Sequence, residues 1–366
     1  MKILVAGGGT GGHLYPALAI ARALVDQDSR TEPFFLGARR GMERSILPEA
    51  EFPFELLDLH PLYRTRPWLN WRTAAGSAVS WRRISRIVAE IRPCALVATG
   101  GYAAGVALAV ARRRRLPIVI QEQNSTPGLT VRMFAPYAAQ IHLGFPEAGS
   151  RLSIGPTTRV FDSGNPITPP TASALRPSRL ESQVRWGFEQ SAAPIVLIFG
   201  GSQGAEPINR IVAQWVGRGV GDLRVIWATG QMNFDRYSHL DGPTVRVLPY
   251  INRVADAYAA ADFAVSRAGA MTTAELSAWG IPVILVPLPT AAADHQSKNA
   301  HAIAAAGAAV VIGQPALTEN LLRATIERLA SDHTLIRQMR DRTLERARPN
   351  AAQDIAKNIL SLGCFK

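Results

Sequence analysis

Short runs of Val, Ile, Leu and Phe recur along the whole chain, each followed by a helix-length amphipathic stretch, and this alternation leaves few folds open. It is the pattern of a parallel β-sheet with crossover helices. Strands are expected at 2–6, 33–36, 54–58, 95–98 and 117–121, then at 195–199, 224–228, 245–248, 263–266, 283–286 and 309–312. Between the two sets lies "GNPITPPTASALRPSRLESQVRWGFEQSAAP" (164–194), whose Pro, Ser and Thr content predicts a linker with a hinge near Asn165 to Pro170, then a short helix. A length of 366 residues also favours two cores over one.

Glycine-rich turns follow strands three times: "AGGGTGG" (6–12), "TGGYAAG" (99–105) and "FGGSQGA" (199–205). Tight strand-to-helix turns need glycine for backbone reasons alone. Three in one chain shift the weight toward phosphate or sugar binding, because such turns lie at the carboxyl ends of parallel strands, where ligands bind. Two doubly wound domains presenting these edges to each other would enclose one site. Gly7, Gly9 and Gly12 also satisfy G-x-G-x-x-G, and Arg39 and Arg40 could meet a 2′-phosphate in an NADP reading. That reading leaves His13, at the start of the next helix, without a role. It also ignores the third loop and everything from 266 to 299.

"SRAGAMTTAELSAWGIPVILVPLP" (266–289) reads as a strand end, a turn at Gly269, a helix from about Ala270 to Trp279 and another strand. Free N–H groups at that helix start suit a diphosphate. Glu275, one turn on, is either an ordinary exposed glutamate or an acceptor for both hydroxyls of a ribose. "ADHQSKNA" (293–300) offers Asp294, His295 and Gln296 to sugar hydroxyls, and "QEQNSTPG" (121–128) offers Glu122 and Asn124 toward the same site. "DQD" at Asp26 to Asp28 looks like a metal-binding D-x-D, but it falls at a helix end far from any glycine loop. No metal and no cofactor are expected.

The net charge of +12 points to an anionic partner. All but Lys2, Lys298, Lys357 and Lys366 of the 40 basic residues are Arg. Between His60 and Arg115 the only acid is Glu90, while Tyr63, Trp68, Trp71 and Trp81 are interleaved with Arg64, Arg66, Arg72, Arg82 and Arg83. A nucleic-acid module would account for this stretch and nothing else. No apolar run approaches the roughly 18 to 20 residues of a membrane span, and no signal-peptide pattern is seen, which predicts a cytosolic address. Cys94 and Cys364 stand far apart and in no metal spacing.

Taken in order, "GGTGGHLYPALAIA" (8–21), "GGYAAG" (100–105), "EQN" (122–124), "GNP" (164–166), "GGSQGA" (200–205), "SRAGAMTTAE" (266–275) and "HQSKNA" (295–300) resemble the bacterial peptidoglycan glycosyltransferases. These add N-acetylglucosamine (GlcNAc) from UDP-GlcNAc to lipid I, undecaprenyl-diphospho-N-acetylmuramoyl-pentapeptide, giving lipid II and UDP with inversion. The resemblance covers essentially the whole chain. It implies an α/β chain of glycosyltransferase B fold, two Rossmann-like domains facing a central cleft. Residues 1–165 would be the acceptor and membrane-associating domain, with a C-terminal helix at about 347–366 packed back on it, and 166–346 the donor domain. For the donor it implies Ser202 near the diphosphate, Ile251 beside the uracil, Ala270, Met271, Thr272 and Thr273 at the phosphates, Glu275 on the ribose and Gln296 on the GlcNAc hydroxyls. Thr10, Gly11, Gly12 and Asn124 would close that site from the first domain, and Gly9 and Tyr102 would meet the acceptor. Two positions depart from the family: Thr168 stands where Arg is common after "GNPV", and Gln121 stands where many members have His.

In such a reaction the muramoyl C4 hydroxyl attacks the anomeric carbon and needs a base. His13, with the imidazole's unperturbed pKa near ~6.5, and Glu122 are the two candidates, His13 the favoured one. The resemblance further implies a peripheral place on the cytoplasmic face of the inner membrane, with the basic, aromatic stretch against anionic head groups. Cell-wall synthesis or division proteins are implied partners, and nucleic acid is not.

Overall fold

The computed structural model describes residues 1–61, 63, 67–170, 177–188, 192–201 and 203–363. The chain divides into two compact units, Met1–Ile167 with Asn350–Lys366, and Thr168–Pro349.

The first unit runs β1 (Lys2–Gly7), α1 (Gly11–Gln27), β2 (Glu32–Ala38), α2 (Glu43–Ile46), β3 (Phe54–Leu57), α3 (Asn70–Ile91), β4 (Ala95–Gly100), α4 (Tyr102–Arg113), β5 (Ile118–Glu122), α5 (Leu129–Phe134), β6 (Gln140–Leu143) and β7 (Arg159–Phe161). Its strands form one parallel sheet in the order β3-β2-β1-β4-β5-β6-β7. Helices cover both faces, so the central strands are continuous apolar runs. On β1, Leu4 and Ala6 face Ile84, Ile87 and Leu108, whereas Ile3 and Val5 face Leu14, Ile20 and Leu24 of α1. The C-terminal helix Ala351–Leu360 closes this second layer by burying Ala352, Ile355, Ala356 and Ile359 there.

Strands β6 and β7 lie outside the expected runs because β6 alternates in polar residues and β7 is only a three-residue edge strand. Gln140 and His142 of β6 are wholly buried. Gln140 Nε2 donates to the Asn358 carbonyl of the C-terminal helix at 2.8 Å, and His142 stacks on Phe161 with its Nδ1 2.7 Å from Ser163 Oγ. Burial, with Arg159 nearby, lowers the His142 pKa to about 4. The unfolded chain therefore binds a proton near pH 6.5 that the folded site refuses until about 4. Stability is full above that window and falls as pH drops through it, by about 3 kcal/mol in all. Denaturant melts between pH 4 and 7 should show this loss, and His142→Gln should flatten it.

The second unit holds α6 (Arg179–Arg185), β8 (Ile195–Phe199), α7 (Glu206–Gly217), β9 (Arg224–Ala228), α8 (Phe234–Tyr237), β10 (Val245–Leu248), α9 (Val254–Ala260), β11 (Phe263–Ser266), α10 (Ala270–Trp279), β12 (Val283–Leu285), α11 (His295–Ala305), β13 (Ala309–Val311), α12 (Glu319–Ser331) and α13 (His333–Glu345). Helix α6 opens on a capping box between Ser178 and Glu181. The sheet is again parallel, in the order β10-β9-β8-β11-β12-β13. Its core is built around fully buried Trp215 and Trp227, and the Trp227 indole N–H is satisfied by Asn209 at 3.1 Å. Among the described residues no helix is long and apolar enough to cross a membrane.

Candidate active site

Each sheet reverses its strand order once, at β1/β4 in the first unit and β8/β11 in the second. Ligands of doubly wound sheets sit beyond the carboxyl ends of strands at such a switch point. All three glycine loops and the "SRAGAM" turn leave those strand ends.

In the first unit the loops after β1 and β4 press together. A β-carbon at Gly101 would fall 2.2 Å from the Gly8 carbonyl, and one at Gly9 would fall 2.5 Å from the Tyr102 ring. Gly9, Gly100 and Gly101 also have φ of 86°, 91° and 78°, where a side chain is strained. Thr10 precedes α1 without a side-chain cap, so the amides of Gly11 and Gly12 have no intrahelical acceptor. The Gly9 amide, by contrast, donates inward to Glu43 Oε1 at 2.9 Å.

His13, partly buried at the start of α1, is held from behind. Its Nδ1 lies 2.8 Å from the Thr99 carbonyl and 2.9 Å from Gln123 Oε1, and Thr99 Oγ1 donates to the His13 carbonyl at 2.8 Å. Both Nδ1 partners are acceptors, so the neutral ring carries its proton on Nδ1. Nε2 keeps its lone pair and meets no hydrogen-bonding group among the described residues.

Beneath His13 runs a chain of buried amides. Gln123 Nε2 donates to the Thr99 carbonyl at 2.8 Å and to Gln121 Oε1, Gln121 Nε2 donates to Asn165 Oδ1 at 3.1 Å, and Asn165 Nδ2 donates to the Gln123 carbonyl at 3.0 Å. Gln121 is wholly buried in this chain. Its amide serves the scaffold and carries no proton chemistry.

Glu122 is buried as well, and both its oxygens are engaged. Oε1 accepts from the Asn124 amide at 2.9 Å and from Asn124 Nδ2 at 3.3 Å, while Oε2 accepts from the Gly128 amide at 2.9 Å. Burial pushes its pKa up, against the pull of those donors and of His13. The carboxylate thus ties down the loop 123–128, and Asn124 is oriented by it.

In the second unit, the loop after β8 is drawn against β9. A β-carbon at Gly204 would fall 2.0 Å from the Thr229 carbonyl, and Gly201 and Gly204 have φ of 90° and 74°. Ser202 of this loop lies outside the described residues. Helix α10 starts after Gly269 without a side-chain cap, leaving the Met271 and Thr272 amides no intrahelical acceptor. The Thr273 hydroxyl is turned back to the Gly269 and Ala270 carbonyls. Glu275 is partly buried, and its Oε2 accepts the Tyr258 hydroxyl at 2.8 Å. Among the described residues no hydrogen bond is made at Oε1. Burial raises the pKa of Glu275 and, together with the neighbouring carboxylate, raises that of Tyr258 well above the usual phenol value.

Gln296 Oε1 accepts the Leu288 amide at 2.9 Å, so its Nε2 is the group left to donate. Just before it, Ala293 and Asp294 both take left-handed backbone, φ 52° and 55°, a strained pair at the entry to α11. Ile251 is buried after β10, and Thr168 is exposed as the first residue of the second unit. Asp28 of the D-x-D pairs with Arg30.

On the first unit, Trp68 and Trp71 are about two-thirds exposed and Trp81 about one-third. Arg72 sits over the Trp71 ring, and Arg83 pairs with Glu55 at 2.9 Å. Trp81, Val106, Ala109, Thr130, Met133 and Phe134 line an apolar groove of about 340 Å³. Arg64 and Arg66 lie outside the described residues. Sequence patterns did not single out Glu43, Thr99, Gln123 or Tyr258, since each acts through hydrogen bonds to residues distant in sequence.

Residues 3–143 match the glycosyltransferase family 28 N-terminal domain and residues 195–359 its C-terminal domain. A UDP-N-acetylglucosamine–N-acetylmuramyl-(pentapeptide) pyrophosphoryl-undecaprenol N-acetylglucosamine transferase of Symbiobacterium thermophilum is 39% identical, over 99% of this chain and 96% of its own. The Salinibacter ruber protein of the same description is 38% identical, over 98% and 96%. The crystal structure of Acinetobacter baumannii MurG superposes with a TM-score of 0.80 at 27% identity, covering 98% of this chain and 99% of that one. A Polygonum tinctorium UDP-glucosyltransferase, at 15% identity and a TM-score of 0.71, shares the fold. With both family domains matched in order and full-length relatives well above 30% identity, the chain belongs to glycosyltransferase family 28.

Proposed function

We propose that this enzyme transfers GlcNAc from UDP-GlcNAc to the C4 hydroxyl of the muramoyl sugar of undecaprenyl-diphospho-N-acetylmuramoyl-pentapeptide, releasing UDP with inversion. The full-length relatives support this choice of substrates. The observation that carries the chemistry is His13, whose Nδ1–H is fixed on the Thr99 carbonyl while Nε2 stays open. Nε2 takes the hydroxyl proton as the new C–O bond forms at the anomeric carbon. The bond from that carbon to the diphosphate oxygen breaks, and its electron pair leaves with UDP.

Charge building on the diphosphate meets the Met271 and Thr272 amides, with the α10 dipole behind them. Ala270 and Thr273 belong to the same turn, and Ser202, outside the described residues, is assigned to the diphosphate by the resemblance alone. Glu275 Oε1 accepts from the ribose, Gln296 Nε2 donates to a GlcNAc hydroxyl, and Ile251 packs on the uracil. The glycine loop at 9–12 faces the acceptor diphosphate, with the Gly11 and Gly12 amides as its donors and Tyr102 beside it, and Thr10, Gly11, Gly12 and Asn124 reach the UDP-GlcNAc as well. Glu122 holds the loop that carries Asn124 and leaves the proton to His13. Thr168 supplies at most a hydroxyl where the family commonly has a cation.

Titration with UDP-GlcNAc, UDP-GalNAc, NADPH and an oligonucleotide tests the donor assignment. Saturable binding of UDP-GlcNAc is expected, and preferential binding of NADPH would refute it. The exposed Trp68, Trp71 and Trp81 with Arg72 and Arg82 support peripheral attachment to the anionic cytoplasmic face of the inner membrane. The chain should float with anionic vesicles at low salt and be released by high salt. Failure to float at low salt would rule this attachment out.

A further inference from the structure

We infer that Glu43 is a positioning residue for the acceptor: it sets the glycine loop that meets the acceptor diphosphate. Glu43 is wholly buried, and its Oε1 accepts the amides of Gly9 at 2.9 Å and Ala38 at 3.1 Å. The surrounding backbone leaves it room by having no side chains. A β-carbon at Gly8 would fall 1.8 Å from the carboxylate, one at Gly41 1.9 Å, and one at Gly37 2.9 Å from the Glu43 β-carbon.

Burying a carboxylate is costly unless its hydrogen bonds are made, and here they all fall on one oxygen. Two backbone donors from different segments, the loop after β1 and the end of β2, meet at Oε1, while Oε2 is buried with no hydrogen-bond partner among the described residues. Gly9 is thereby fixed on both sides, through its amide by Glu43 and across its bare Cα by the Tyr102 ring. With the Gly9 amide committed inward, the donors left at this loop are those of Gly11 and Gly12. The charge of Glu43 is also felt by the Tyr102 hydroxyl, whose pKa is raised by burial first and by Glu43 next. Glu43 itself reaches no substrate; it acts through Gly9 and the loop.

The inference rests on the reading that the first unit takes the acceptor. Its test is a kinetic split between the two substrates, with a soluble lipid I analogue and UDP-GlcNAc. E43A should raise the acceptor KM by about tenfold, the worth of one charge-assisted hydrogen bond. The donor KM should stay within about twofold. E43Q keeps an oxygen at the Oε1 position and should restore the acceptor KM to within about threefold of wild type. If E43A shows no cooperative melting transition, E43D, one methylene short, is read by the same criteria.

An unchanged acceptor KM in folded E43A would overturn the inference. So would a donor KM rising in step, which marks general loosening, or an E43Q enzyme as impaired as E43A. If the wild-type enzyme itself fails to use the lipid I analogue, the functional reading fails instead.

Discussion

His13→Ala is expected to lower kcat by about 10²- to 10⁴-fold, the usual worth of a positioned general base, with the donor KM nearly unchanged. The expectation follows from which atoms are already occupied. Nδ1 of His13 is committed to the Thr99 carbonyl and Gln123 Oε1, so the ring can neither swing nor change tautomer without losing both contacts. Only Nε2 can receive a proton. Glu122, the competing base, spends its oxygens on the Asn124 and Gly128 amides, and a proton arriving there would disrupt the loop it holds.

The two candidates separate by substitution: turnover should collapse with His13→Ala and fall far less with Glu122→Gln. Glu122→Gln should also lose about 1–3 kcal/mol of stability, since an amide N–H would face the Gly128 N–H. Gln123→Leu would keep the base and its Thr99 contact but remove the second acceptor that holds the ring, so a modest fall in kcat with both KM values intact is expected. Near-normal turnover of His13→Ala would sink the assignment.

Glu275→Ala is expected to raise the KM for UDP-GlcNAc by about 10- to 100-fold while leaving the acceptor KM alone, because hydrogen bonds to a charged acceptor contribute about 1.5–3 kcal/mol. The carboxylate is already oriented by Tyr258 through Oε2, so little ordering is left for the ribose to impose. Tyr258→Phe should therefore raise the donor KM by less, about threefold, while relieving no other contact. Removing Glu275 also strands the buried Tyr258 hydroxyl, and the melting temperature should fall. A donor KM for Glu275→Ala within twofold of wild type would remove Glu275 from the ribose.

How far the chain could be read ahead of its structure depended on how local each signal was. The runs at β1, β4, β8 and β11 are apolar because both their faces are covered, and the glycine loops follow them directly, so both switch points were legible. β6 was not, because Gln140 and His142 are buried only by virtue of partners at Asn358 and Ser163 that no local pattern announces. The same holds within the site. His13 stands out by its position at a helix start and Glu275 one turn past another, whereas Glu43, Thr99 and Gln123 show their purpose only when segments distant in sequence are paired. Gln121 is instructive in the other direction: it departs from the family at a position where many members have His, and in the fold it is one link in a buried amide chain.

The central claim is tested most directly by incubating the wild-type protein with labelled UDP-GlcNAc and a lipid I analogue. The account predicts one UDP released per β-linked GlcNAc joined to the muramoyl C4 oxygen, with UDP-GalNAc a poor donor. Tight UDP-GlcNAc binding without transfer to that acceptor, or efficient transfer to a different glycolipid alone, would contradict it.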